Sequence, residues 1–134
     1  MSAIRLSRNA LLGAWRLVSF SAREPSGAVR HPLGEQPAGM ILYTDAGYMS
    51  AQLASAPDAA DYIAYGGPFE LDEHTAVVHH DIAMSSMPEL LDTPQYRNAS
   101  VDGEFLTLSA TTTDAQGLTL ESTLVWKRAD RIER

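Results

Sequence analysis

Two short apolar runs set three residues apart constrain the fold more than any other feature of this chain. Residues 40–44 and 48–53 flank Asp45-Ala46-Gly47, and both runs alternate. A three-residue hairpin loop joins a type I turn to a left-handed residue, which glycine supplies without strain. That register sets Thr44 opposite Tyr48 and Tyr43 opposite Met49. Because strand side chains alternate between faces, it gathers Ile41, Tyr43, Met49, Ala51 and Leu53 on one side. A two-residue turn would instead put Tyr43 beside Tyr48, and Gly47 favours the first register.

The rest of the chain continues this pattern. Residues 9–12 read as a short helical turn leading into a strand over 13–24 that carries Trp15, Leu17, Val18 and Phe20. Further strands are expected at 67–72, 76–84, 95–101, 104–110 and 118–128, punctuated by turn signals such as Asp102-Gly103. Ser55, Pro57 and Asp58 read as a helix start. Ala59, Tyr62 and Ile63 would then share one face of a two-turn helix beside the mouth of the fold. Residues 85–91 read as a short helical or looped insertion. The expected architecture is all-β, an eight-stranded antiparallel up-and-down barrel with one or two short helices, as one domain over 1–134. A sandwich is the alternative that periodicity leaves open.

Composition narrows the function. Cysteine is absent, which removes disulfides, thiolate nucleophiles and cysteine-bound metals. The net charge is −7, and the ten basic residues are Lys127 and nine scattered arginines. Arg128, Arg131 and Arg134 alternate with acids and read as a solvated tail. Nucleic acid and anionic membrane are therefore poor partners. No apolar run approaches a membrane span, and Met1 to Arg8 lacks the apolar stretch of a secretory signal. Together with the missing cysteines, this points to the cytoplasm. Neither a phosphate-binding loop nor a Gly-x-Ser-x-Gly element occurs, so no cofactor is expected, and Asn98-Ala99-Ser100 reads as a chance sequon.

Residues 12–19, Leu-Gly-Ala-Trp-Arg-Leu-Val-Ser, resemble the opening strand of calycin barrels, where a Gly-x-Trp element plugs one end. Residues 39–50 resemble the signature hairpin of the bacterial and fungal lipocalin-like domain family. Residues 65–72, 77–80, 103–108 and 124–126, with Pro88 and Arg97, extend the likeness to about 11–128. The resemblance implies a small barrel with a lumen. Related small barrels hold apolar ligands or catalyse cofactor-free cyclisations and isomerisations in natural-product pathways. One departure is Met87 and Leu90, where many relatives carry an aromatic residue near the proline.

Candidate residues follow. His79 and His80 are adjacent on a strand, so one faces inward. His80 shares its face with Val78, Ile82 and Met84, which favours it, while the family match also draws attention to His79. An inward histidine serves as a general acid or base or as a satisfied structural group. Arg97, on a half-buried strand, would hold a substrate enolate or carboxylate, or pack over Trp15 or Trp126. Tyr43 would position substrate. Met49, Tyr62, Tyr65, Phe69 and Trp15 are the ligand-facing candidates, although Trp15 and Trp126 also suit structural plugs. Adjacent strand histidines cannot share one ion, so no metal is expected. The expected function is binding of a small, mostly apolar, polyketide-like molecule, with cofactor-independent isomerisation or cyclisation by His, Tyr and Arg. The alternatives are a non-catalytic carrier and a protein-interaction module, and a homodimer is open to it.

Overall fold

The computed structural model describes residues 5–132. The N-terminal leader reading rests partly on residues outside that range, as does Arg134 of the expected tail. Helix α1 (Arg8–Leu11) is capped by Ser7, whose side chain accepts from the Ala10 amide. The strands are β1 (Gly13–Arg23), β2 (Val29–Arg30), β3 (Ala38–Tyr43), β4 (Tyr48–Ala54), β5 (Tyr62–Asp72), β6 (Val77–His80), β7 (Met84–Ser85), β8 (Gln95–Asp102), β9 (Phe105–Thr113) and β10 (Thr119–Arg128). A 3₁₀ turn (Pro88–Leu91) lies between β7 and β8.

The sheet runs β1-β3-β4-β5-β6-β8-β9-β10, and β10 pairs back onto β1. The two-residue β2 and β7 attach outside this circuit, leaving a closed barrel of eight antiparallel strands. Closure removes the exposed edges that a sandwich would keep. No helix among the described residues is long and apolar enough to cross a membrane.

The hairpin forms in the three-residue register, with Tyr43 opposite Met49. Ile41, Tyr43, Met49, Ala51 and Leu53 are all buried, whereas Tyr48 is 58% exposed. In β1 the inward face changes parity. Trp15 and Leu17 are buried, and so is Ala22, while Phe20 packs against the core. A bulge at Val18, between the pairs Leu17–Trp126 and Ser19–Val125, makes the switch.

Residues 55–64 do not form the expected helix. The Ala59 amide does reach the Ser55 carbonyl, but Ala59 then takes a positive φ of 53°. Ser55 Oγ accepts from the Asp61 amide and Asp58 Oδ1 from the Ala60 amide, so the segment closes as a turn. From Tyr62 onward the backbone pairs with β4, Tyr62 lying opposite Ala54. Tyr62 and Ile63 therefore point to opposite faces. The strand expected over 76–84 also breaks, after His80. The chain arcs over Gly67, where an added Cβ would collide with the Asp81 carbonyl and lie 2.7 Å from the Ala83 amide.

Connections alternate between the two ends of the barrel. The end carrying the β3–β4, β5–β6 and β8–β9 turns is closed by α1, Leu6 and Trp15. Trp15 Nε1 donates to the Leu11 carbonyl at 2.9 Å. The cation over Trp15 is Arg128, 4.0 Å from the ring, and not Arg97. Arg128 also donates to the Leu12 and Ala10 carbonyls, at 2.9 and 2.7 Å. It is thus part of the plug and not of a solvated tail, while Arg131 is exposed. Gly13, at φ 121°, leaves it room, since a Cβ there would stand 2.9 Å from Arg128 Nη1.

Candidate functional site

The barrel holds a cavity of about 340 Å³ toward its other end. This lies at the small end of the usual range of roughly 300–1,000 Å³ for ligand pockets. Phe20, Leu53, Ile63, Leu108, Leu124 and Trp126 form most of its apolar wall. Met87, Glu89 and Leu90 meet it from the 3₁₀ turn, with Glu89 exposed at the rim. The short helical element at the mouth is therefore at 88–91, whereas Ala59 and Ala60 lie exposed in the neighbouring turn. Met87 and Leu90 both shape this opening.

His80 points inward and is 1% exposed. The expected face held Val78, Ile82 and Met84; Val78 is buried on β6, but the strand ends at His80 and Met84 is exposed on β7. Tyr43, on β3, is 2.6 Å from His80 Nε2 through its hydroxyl, a contact made across the barrel. Desolvation by burial, reinforced by the charges of Arg97 and His79, pushes His80 down to about 3. Burial likewise pushes the Tyr43 hydroxyl well up, with Tyr65 adding to the rise and Arg97 opposing it. At neutral pH both groups are uncharged. The Tyr43 hydroxyl has no other partner among the described residues, so its O–H donates to Nε2. A neutral imidazole accepting at Nε2 carries its proton on Nδ1. That Nδ1 is buried without a partner, as is Trp126 Nε1.

Phe69 supports the pair, its ring 5.0 Å from Tyr43 in an edge arrangement. Tyr65 stands 6.0 Å from His80, ring to ring, and desolvation raises its hydroxyl too. Arg97 enters the wall from β8. Its Nη1 donates to the Tyr96 carbonyl at 2.8 Å and its Nη2 to Gln95 Oε1 at 3.0 Å. Gln95 is itself held, its Nε2 donating to Thr93 and, at 3.3 Å, to the Leu90 carbonyl. The guanidinium is thereby tied to the turn at the mouth.

The structure thus brings together Tyr43, His80, Phe69, Tyr65 and Arg97. Of these, Tyr65, His80 and Arg97 line the cavity, whereas Tyr43 and Phe69 belong to the buried core that backs His80. Four other candidates also lie apart from the cavity wall. His79 faces outward and stacks on Tyr96, 4.5 Å between ring centroids. Tyr62 is exposed, donating to Gln52 Oε1 at 2.8 Å. Trp15 belongs to the plug. Met49 is buried in the core opposite Tyr43. Gln95 and the wall role of Trp126 escaped sequence reasoning. Trp126 alternates inward with Leu124 on β10, and that period was the available signal. Among the described residues no three His, Asp or Glu side chains are placed to hold a metal ion.

Comparison with known proteins agrees with this architecture. A redesigned β-barrel of known structure superposes with a TM-score of 0.50, covering 96% of this chain and 100% of that one. At 14% identity the likeness is one of fold. No curated protein sequence matches the chain. The family model described as a lipocalin-like domain matches residues 12–60 and 56–129. With that match running nearly end to end over a closed, plugged, eight-stranded barrel, the chain belongs to the lipocalin-like domain family.

Proposed function

We propose that the barrel binds a small, mostly apolar molecule in its lumen. The observation that carries this reading is the cavity, walled by Leu53, Ile63, Leu108, Leu124 and Trp126 with a few polar groups set among them. An apolar wall gains from covering ligand surface at roughly 25 cal/mol per Å². The test is uptake of N-phenyl-1-naphthylamine, a neutral dye that brightens on leaving water. Ala110→Trp, which places a large ring in the cavity wall, should abolish uptake while the melting temperature holds. Equal uptake by both folded proteins would refute a lumen site.

A second reading adds cofactor-independent isomerisation or cyclisation of a polyketide-like substrate. Its support is that His80 and Arg97 line the cavity and that Tyr43, in the core behind His80, holds the imidazole through its hydroxyl. An imidazole that titrates near 3 is a weak base at neutral pH. The chemistry this arrangement favours is therefore selection of a reactive conformer and polarisation of an oxygen by fixed N–H donors. On such a substrate His80→Gln should slow single turnover by about 10²-fold or more, and His79→Gln should leave it unchanged. Two folded variants that both turn over at the wild-type rate would remove the histidine from the mechanism and leave a catalyst acting by shape alone. A wild type with no turnover would leave the barrel a carrier.

A further inference from the structure

The polar groups of the cavity are unbalanced. Arg97 lines it as a full cation, and among the described residues no carboxylate lies within ion-pair distance of it. The ion pairs present join Arg5 to Glu73, Arg8 to Asp45, and Arg30 to Glu24 and Asp114. Asp114 follows Thr113 of the cavity wall, but its carboxylate is paired with Arg30 and not with Arg97. Its two acceptors, the Tyr96 carbonyl and Gln95 Oε1, are neutral, and a guanidinium has five N–H groups to place. Arg97 is half-buried, so water solvates part of the guanidinium, but on its cavity side the cation has only neutral protein partners. The remaining inventory leans the same way. His80 keeps an Nδ1–H and Trp126 an Nε1–H, each buried without a partner. Thr112 and Ser122 hydrogen-bond each other at 3.0 Å. The carboxylate of the wall, Glu89, sits out at the exposed rim.

We propose that the ligand is an amphiphilic anion, its apolar body filling the lumen and its acceptor-only oxygen head, a carboxylate or an enolate, paired with Arg97. The inference rests on the lumen-binding reading and names the chemical class that reading leaves open. A purely apolar ligand would strip water from the half-buried Arg97 without replacing it, and a cationic one would meet like charge. The positive field is local, because the chain as a whole carries −7. It reaches Tyr43, Tyr65 and His80, at each of which the Arg97 charge opposes a proton or favours its loss. Gln95 acts as a positioning residue. Tied to Leu90 and Thr93, it holds the guanidinium in one orientation, and an oriented fork suits a two-oxygen acceptor.

The experiment is displacement of N-phenyl-1-naphthylamine from the full chain by decanoate, decanol and decylammonium, which share one apolar body and differ in head. Decanoate should displace the dye at a concentration about tenfold or more below decanol, and decylammonium should be the weakest. In Arg97→Met, which keeps much of the apolar stem, the advantage of decanoate should disappear while decanol changes by less than about twofold. Gln95→Leu should shrink the advantage with decanol affinity and melting temperature held, which a merely structural role would not produce. Dye binding with equal displacement by decanoate and decanol would overturn this inference and leave the lumen reading standing. A wild-type protein that binds neither dye nor any amphiphile would overturn both. The three-way comparison in the wild type decides the matter even where a variant fails to fold.

Discussion

Burial of His80 makes the stability of the barrel depend on pH in a way that one substitution isolates. In the folded chain its imidazole titrates near 3, against an ordinary value of 6.5 once unfolded. Above 6.5 the ring is neutral in both states and its contribution is fully present. As pH falls below 6.5 only the unfolded chain takes up the proton, so unfolding is favoured progressively until the folded ring titrates near 3. Each pH unit inside that window costs about 1.4 kcal/mol. The loss is about 2 kcal/mol between neutral pH and about pH 5, and about 5 kcal/mol across the window. Urea unfolding followed by tryptophan fluorescence measures it, because Trp15 and Trp126 are both fully buried. In His80→Gln the side chain no longer titrates but still offers an acceptor to the Tyr43 hydroxyl. The wild type should lose about 2 kcal/mol more than His80→Gln between about pH 7 and about pH 5, at equal m-value. Identical losses in the two proteins would show that the imidazole is not held neutral in the core, and the tautomer assigned from Tyr43 would fall with it.

Three further expectations concern packing. Met49→Asp should unfold the chain or destabilise it by several kcal/mol, about the scale of a buried unpaired carboxylate, while Tyr48→Asp on the exposed face should stay within about 1 kcal/mol; far-UV circular dichroism melts that reversed this order would overturn the hairpin register. Gly67→Ala should cost about 1–3 kcal/mol in chemical denaturation, because the Cβ meets the backbone of Asp81 and Ala83, which cannot swing aside. A melting temperature within error of wild type would mean that the chain does not arc so closely over Gly67. Arg128→Leu removes two hydrogen bonds to carbonyls and the stacked cation on Trp15, and a loss of about 2–4 kcal/mol is expected. An unchanged denaturation midpoint would show that the plug does not need the guanidinium.

What the sequence determined by itself was what neighbouring residues decide among themselves. The β3–β4 register followed from Gly47 accepting a left-handed conformation three residues after Thr44, and period-two alternation then told which of Tyr43, Tyr48 and Met49 would be buried. The same alternation favoured His80 over His79 for the interior on a face shared with Val78, Ile82 and Met84, of which only Val78 lies on the strand and is buried. Closure of the sheet decided the rest. Helical chemistry at Ser55, Pro57 and Asp58 lost to the pairing of Tyr62 and Ile63 with β4, because strand hydrogen bonds claim a backbone that a local motif can only suggest. Which arginine covered Trp15 was likewise beyond local reach. Arg128 arrives there only because β10 returns to pair with β1, while the inward side of β8 carries Arg97 to the cavity. The contact between Tyr43 and His80 joins residues 37 positions apart on strands that are not neighbours in the sheet. A barrel curls its wall until inward side chains from distant strands meet across the lumen, and no period along the chain records that curvature.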